Sequence, residues 1–139
     1  MAQILLVTET ENEVPWVVDA AAELASDMSA HVQVVAVDNV ESQRFSSLPR
    51  SEVEETARSM AQAAAARLAA AGIDNGWEVR LGARPADSVL EAADAVNADV
   101  IVVGASPRRP VVERVLGSLA LELVRRTNRQ VLVVTPPRY

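Results

Sequence analysis

The chain has 139 residues and no cysteine, with a formal net charge of −6 and an isoelectric point near 4.8. The length suits one ordinary domain, and the missing cysteines exclude disulfides and thiolate chemistry. The acidic charge disfavours nucleic acid as a partner, because a negative surface repels phosphates. The sequence contains no lysine, so chemistry that needs a lysine amine is excluded as well.

The first residues and the lengths of the apolar runs indicate where the protein acts. Residues 1–9 carry Glu9 and no basic start, so they lack the pattern of a signal peptide. No apolar run approaches the roughly 18–20 residues that a membrane span needs. We therefore expect a cytoplasmic protein that does not contact a membrane.

Short β-branched runs alternate with helical patterns along the chain, in the order β-α-β-α-β-α-β-α-β. The second helix begins with Ser51 and Glu54 at the spacing of a capping box, and Gly72 is expected to end it. Parallel strands joined by helices in right-handed crossovers form a doubly wound α/β sheet, here with three layers in a single domain over residues 1–139. The predicted strands are 3–8, 31–38, 77–81, 99–103 and 130–135, and the predicted helices are 13–28, 51–71, 85–97 and 113–126.

One segment has the composition of an anion site. Doubly wound sheets bind ligands outside the carboxyl ends of their strands, where the strand order reverses. The predicted fourth strand ends at Gly104, and Gly117 and Ser118 follow in the early part of the next helical pattern. Glycines let backbone N–H groups approach an anion, and the serine hydroxyl and a helix N-terminus add to its attraction, so phosphate can be held without lysine. The segments to examine at this edge are 8–12, 37–40, 82–85, 104–110 and 135–137.

Residues 103–134 also follow a known family pattern. They keep the first glycine, the final Gly-Ser pair and the spacing of G-x2-G-x9-G-[ST], and LGSLALELVRRTNRQVLVV continues from that pair. The stretches ILLVTE and LGARPADSVLEAA are similar to other parts of the same family. On these motifs the whole chain resembles the universal stress proteins. The resemblance implies a Rossmann-like sheet of five parallel strands in the order 3-2-1-4-5.

The resemblance further implies an adenine nucleotide, ATP or AMP, with Mg²⁺ accompanying ATP. Family members that bind ATP hold adenine with residues that match Glu9 and Val37, and hold ribose and phosphates with residues that match Gly104, Gly117 and Ser118. No residue is assigned a catalytic or metal-binding role, and any hydrolysis is expected to be slow. The full set of expected nucleotide-binding residues is Thr8, Glu9, Val37, Val103, Gly104, Arg108, Gly117, Ser118 and Leu119.

Two departures from the family pattern keep a second function open. Pro107 stands where the pattern has its second glycine, and proline offers no N–H to a phosphate. Glu9 is one methylene longer than the family's aspartate. Arg108 and Arg109 either face phosphates in place of the lost donor or form a solvated pair. The alternative function is a regulatory or scaffold homodimer that binds no nucleotide.

The last predicted strand is the expected contact between two copies. By resemblance, the residues from Gln130 to Thr135 lie at a sheet edge, and a long apolar edge tends to pair with another strand. We therefore expect a homodimer through this strand, whichever of the two functions holds.

Other classes of protein built on similar sheets lack their signatures here. Neither the P-loop G-x4-G-K-[ST] nor the dinucleotide-binding G-x-G-x-x-G is present. A phosphorelay receiver needs a lysine after the last strand, and a Ser-His-Asp hydrolase would have to use His31, which no G-x-S-x-G precedes. His31 also lacks partners at metal-ligand spacing, so we expect no metal site.

Overall fold

The structure, a computed structural model, describes residues 1–9, 15–38, 49–82, 84–105 and 117–135. All strand pairs are parallel, and the order β3-β2-β1-β4-β5 confirms the predicted doubly wound α/β fold. The strands are β1 (Gln3–Glu9), β2 (His31–Val37), β3 (Asn75–Arg80), β4 (Val100–Gly104) and β5 (Gln130–Val134), and the helices are α1 (Pro15–Met28), α2 (Arg50–Ala70), α3 (Pro85–Val96) and α4 (Ser118–Arg126).

The central strands are buried on both faces, as continuous apolar runs predict. Side chains on one face of the sheet pack with α1 and α2, around Leu6 and Leu68. Side chains on the other face pack with α3 and α4, around Leu5, Ile101 and Leu123. The sheet is therefore the middle layer between two separate cores, which we call the α1/α2 core and the α3/α4 core.

Alanine dominates the face that α2 turns to the sheet, where Ala57, Ala61 and Ala64 are buried. Alanine favours helix, and its short side chain lets the helix backbone lie close to the strands. In the α3/α4 core, α3 does the same with Ala92 and Ala93. The alanines of both helices therefore let the helix backbones lie close to the sheet.

The starts of two helices differ from the prediction. Helix α2 begins at Arg50 after Pro49, and no side chain caps it, so the predicted capping box at Ser51 is wrong. Proline already supplies the extended entry, and its carbonyl oxygen accepts from the N–H of Glu52 at 3.0 Å. Helix α4 begins at Ser118 rather than at residue 113, because Gly117 is extended, with φ −61° and ψ 162°. Residues 113–116 lie outside the described part of the chain.

Strand β3 begins two residues earlier than predicted, at Asn75. Gly76, one of the two added residues, pairs in register with Gln33 of β2. A Cβ on Gly76 would lie 2.7 Å from Oε1 of Gln33, so the glutamine side chain occupies the space that a side chain on residue 76 would need. The other boundaries lie within two residues of the prediction, a difference that arises from fraying at element ends.

Helices α1, α2 and α3 end in the same kind of turn. The turn residues Ser29, Gly72 and Asn97 have positive φ, at 53°, 78° and 51°. In each turn the next N–H donates to the carbonyl oxygen five residues back, as from Ile73 to Leu68 at 3.0 Å. This is the Schellman arrangement, in which glycine is the least strained residue at the left-handed position. The predicted role of Gly72 at the end of the second helix is confirmed.

These turns predict stability changes of opposite sign. Ser29→Gly should stabilise the protein by about 0.5–1 kcal/mol, because it removes left-handed strain. Gly72→Ala should destabilise it by about 1 kcal/mol, since a Cβ there meets nothing within 4 Å and only the backbone strain acts. Urea denaturation measures both changes. A neutral Gly72→Ala would contradict the left-handed geometry at that residue.

Among the described helices, none is both long and apolar enough to span a membrane.

Candidate functional site

The strand order reverses between β1 and β4. Helix α1 follows β1 on one face of the sheet, whereas α4 follows β4 on the other. The two strands pair in register as far as Leu6 opposite Val102. Beyond that point β1 continues to Glu9 and β4 to Gly104. Doubly wound sheets bind their ligands in the crevice at this position.

Three of the predicted residues lie at these strand ends. Thr8 is partly buried, and its hydroxyl donates to the carbonyl oxygen of Val35 at 3.4 Å. Glu9 is partly exposed and lies opposite Val37 in the register of β1 and β2. Gly104 is the last residue of β4. A hydroxyl, a carboxylate and a backbone without Cβ therefore meet at the edge where the strand order reverses.

Three other predicted residues belong to the core. Val37, Val103 and Leu119 are at most 2% exposed and pack in the α3/α4 core. Their side chains are therefore occupied in packing, so any contact of these residues with a ligand would be through backbone atoms. The remaining loop residue of the predicted set, Arg108, lies outside the described residues, as does Pro107.

The predicted Gly117–Ser118 pair forms the start of α4. Gly117 precedes the helix and has no side chain to cap it, and Ser118 is the exposed first residue. The first N–H groups of a helix have no partner within it, and the helix dipole makes this end electropositive. Helices α2 and α3 carry Glu52 and Asp87 in their first turns, whereas the first turns of α1 and α4 carry no acid. The start of α4 is consequently suited to an anion from outside the helix.

Asp38, which directly follows β2, lies in the predicted segment 37–40 but was not among the expected nucleotide-binding residues. Its side chain is buried, with 6% exposure, and one carboxylate oxygen accepts from the N–H of Gly82 at 3.1 Å. Gly82 has a φ of 92°, and the Nη2 atom of Arg50 would lie 2.9 Å from a Cβ there. The ends of β2 and β3 and the start of α2 are thus held together beside Val37. In the sequence, the available signals for this contact were an acid at the end of the second predicted strand and a glycine directly after the third.

A cavity of about 170 Å³ lies below the end of β1, between the sheet, α1 and α2. Its wall is mainly apolar, and Thr8 is on its lining. Such a space suits a flat apolar group rather than a charged one, because burying an unpaired charge is strongly unfavourable. The lining includes Leu6, Val17, Val18, Met60 and Ala63.

Arg67 also lines this cavity, and an ion pair fixes its guanidinium. The Nε and Nη2 atoms donate to the two carboxylate oxygens of Asp19 at 2.6 and 2.8 Å, which joins α2 to α1. The hydrogen bond from Arg67 holds the pKa of Asp19 below its ordinary value, although partial burial acts in the opposite direction. The Arg67–Asp19 pair beside the cavity therefore carries no net charge.

The described residues contain no group of three or more His, Cys, Asp or Glu side chains placed to hold a metal ion. His31 lies at the opposite, amino edge of the sheet, where its Nδ1 atom is 2.8 Å from Oδ2 of Asp74. This contact joins the start of β2 to the residue before β3, which gives the histidine a structural partner.

The fold defines a doubly wound α/β protein whose strand order reverses between β1 and β4. The model of the universal stress protein family matches residues 1–135. The chain therefore belongs to the universal stress protein family. A comparison with curated proteins finds no match.

Solved structures of the same family have the same fold. A universal stress protein from Archaeoglobus fulgidus is 23% identical with a TM-score of 0.76, over 96% of this chain and 97% of that one. A universal stress protein in complex with cAMP is 27% identical with a TM-score of 0.71, over 96% of both chains. The Archaeoglobus fulgidus protein in complex with dAMP is 22% identical with a TM-score of 0.71, over 96% of both chains.

Proposed function

We propose that this protein binds an adenine nucleotide, ATP or AMP, in the crevice between β1 and β4 and acts as a regulatory protein of the stress response. The observation that carries the proposal is the start of α4, whose first N–H groups have no partner within the helix and whose first turn carries no acid. Because α4 follows β4, its N-terminus lies at the same edge of the sheet as Gly104 and Glu9. Phosphate would bind there, at Gly117 and Ser118, with ribose near Gly104.

Separate observations support the binding of the adenine end of the nucleotide. Glu9 and the backbone of Val37 are paired neighbours at the ends of β1 and β2, where adenine N–H and ring nitrogen atoms would find an acceptor and a donor. The apolar cavity beside Thr8 offers a surface for a flat ring. Two related proteins were solved with cAMP and with dAMP, and both ligands combine adenine with phosphate.

The proposal is for binding rather than turnover. The chain has no lysine to stabilise a transferring phosphate. The described part of the edge contains the carboxylates of Glu9 and Asp38, which both have partners within the protein. With ATP, Mg²⁺ would be held mainly by phosphate oxygens, as is usual for this ion.

Isothermal titration of nucleotide-stripped protein with Mg-ATP, and separately with AMP, tests the proposal. We expect saturable heat from at least one nucleotide, with a dissociation constant below about 1 mM. If neither nucleotide gives heat or a thermal shift at millimolar concentration, the crevice does not bind adenine nucleotides. In that case the second candidate function, a homodimeric scaffold, takes precedence.

The second candidate is favoured by the surface around β5. Leu132 on this edge strand is 39% exposed, and Leu121 and Val124 on the neighbouring α4 are 38% and 48% exposed. An edge strand has unpaired backbone groups, and apolar side chains beside it favour pairing with another chain. A second copy of the protein, paired through β5 by a twofold axis, would cover Leu132 at the centre of this strand.

Leu132→Glu tests this arrangement. We expect wild-type protein to be a dimer by light scattering at micromolar concentration, and the variant to dissociate roughly 10- to 100-fold more readily, because two buried carboxylates would face each other. Gln62→Glu adds the same charge to an exposed position of α2 and should leave the dimer intact. A wild-type monomer would exclude the homodimer.

A further inference from the structure

A series of ion pairs joins the start of α3 to the middle and the C-terminal end of α4. Arg126 donates from Nη2 to Oδ1 of Asp87 at 2.7 Å and from Nη1 to Oε1 of Glu122 at 3.3 Å. The same Glu122 oxygen accepts from Nη2 of Arg84 at 3.3 Å. Arg84 directly precedes α3, so its side chain crosses from the end of the β3–α3 connection to α4.

Arg84 is at the end of this series of ion pairs and is its most exposed arginine. Its side chain is 76% exposed, compared with 40% for Arg126, and its contact with Glu122 is a single long hydrogen bond. The hydrogen bond from Arg126 to Asp87 is the main reason why the pKa of Arg126 is raised. If Arg84 moved away, Glu122 would still be paired with Arg126. The network therefore does not depend on Arg84.

The side chain of Arg84 contacts α4 at Glu122, on the same face of the helix as Ser118. Ser118 and Glu122 are four residues apart, so their side chains are neighbours one turn apart, with Cβ atoms about 6 Å from each other. A guanidinium in contact with Glu122 is therefore within one side-chain rotation of the start of α4. Its own position before α3 involves no side-chain cap, so the guanidinium has no role in starting that helix.

We propose that Arg84 exchanges Glu122 for the phosphates of a bound nucleotide and makes the site selective for phosphorylated ligands over the nucleoside. This inference rests on the proposed function, which supplies the site itself. The N–H groups of α4 carry only partial charge, and a phosphate group of charge near −2 is bound more strongly beside a full cation. With no lysine in the chain, an arginine must supply that cation.

Titration of Arg84→Ala with ATP and with adenosine tests the inference. We expect ATP affinity to fall about tenfold, as is typical for loss of one charge-assisted hydrogen bond, while adenosine affinity changes by less than about twofold. Arg125→Ala is the matched control, because it removes the same charge from an exposed position near the other end of α4. Far-ultraviolet circular dichroism and thermal melts check that both variants fold.

Glu122→Gln provides a test in the opposite direction. Removing the carboxylate that competes for Arg84 should tighten ATP binding about threefold, and this gain should vanish in the double variant with Arg84→Ala. A merely structural Arg84 would give no such coupling, because Glu122→Gln would then act equally in both backgrounds.

The outcomes separate this inference from the proposed function. If wild-type protein binds ATP and Arg84→Ala matches Arg125→Ala, the role of Arg84 is wrong and the nucleotide site stands. If Arg84→Ala weakens ATP and adenosine equally, the residue supports the fold of the site rather than contacting phosphate, and the inference is also wrong. If wild-type protein binds neither ligand, both proposals fail.

Discussion

Replacing Ile101 with alanine is expected to lower the free energy of unfolding by about 3–4 kcal/mol, in the upper part of the range for large-to-small core changes. Ile101 is fully buried in β4, between β1 and β5, and faces the α3/α4 core. The helices over it contribute Ala92, Ala93 and Ala120 to this core, together with larger residues of α3 and α4, namely Val89, Leu119 and Leu123. We expect the cavity to remain largely open, because the larger side chains already fill positions of their own in a close-packed core.

Urea denaturation of Ile101→Ala beside Ile101→Val measures this effect. The valine variant removes one methyl group and should lose only about 0.5–1.5 kcal/mol. A total loss below about 2 kcal/mol for the alanine variant would mean that α3 or α4 moves inward to close the cavity.

Replacing Gly117 with valine is expected to weaken nucleotide binding at least tenfold, and up to about a hundredfold, with little loss of stability. Gly117 has extended backbone angles that valine adopts readily, so the glycine is not required by the local fold. What valine would change is the space over the first N–H groups of α4, where phosphate would approach. The stability loss should stay near 1 kcal/mol, because valine is a poor residue before a helix.

Gly72→Ala is the matched control for this prediction. It also enlarges a glycine, but at the amino edge of the sheet, where it should reduce stability and leave nucleotide affinity unchanged. Urea denaturation should therefore give losses of similar size for the two variants, whereas titration with Mg-ATP should show weakened binding for Gly117→Val alone. Unchanged affinity in Gly117→Val would remove the start of α4 from the binding site, even if the wild-type protein binds nucleotide.

The fold could be predicted because its strands are unusually clear in the sequence. Runs such as QILLVT and QVLVVT have the continuous apolar character of strands covered on both faces, and the helices between them have their own period. The strand order came from the family resemblance, since local patterns do not contain it. The motif residues at the ends of β1 and β4 followed from the same resemblance.

The errors in element boundaries have local causes that composition does not reveal. Ser51 and Glu54 have the spacing of a capping box, but Pro49 starts the helix first. Strand β3 begins at Asn75 rather than at residue 77, and the side chain of Gln33 on the neighbouring strand occupies the space beside Gly76. The contact with Gln33 depends on strand pairing, which a linear pattern cannot express.

Asp38 and Arg84 lie in segments 37–40 and 82–85 of the predicted ligand edge, but the contacts of each residue join distant parts of the chain. Asp38 is 44 residues from Gly82, and Arg84 is 38 residues from Glu122. Each of these residues, taken alone, resembles an ordinary acid or arginine at a loop boundary. The contacts that these two residues make depend on which helices and strand ends the fold brings together.

The shared turns at the ends of α1, α2 and α3 suggest how the protein could be attached to a surface or carry a label. Ser29, Gly72 and Asn97 are exposed and lie roughly one helix length, about 18–30 Å, from the crevice between β1 and β4. Because the chain has no cysteine, a single Ser26→Cys substitution beside the first turn would create a unique thiol. A fluorophore or a solid support joined there would leave the crevice open to solution.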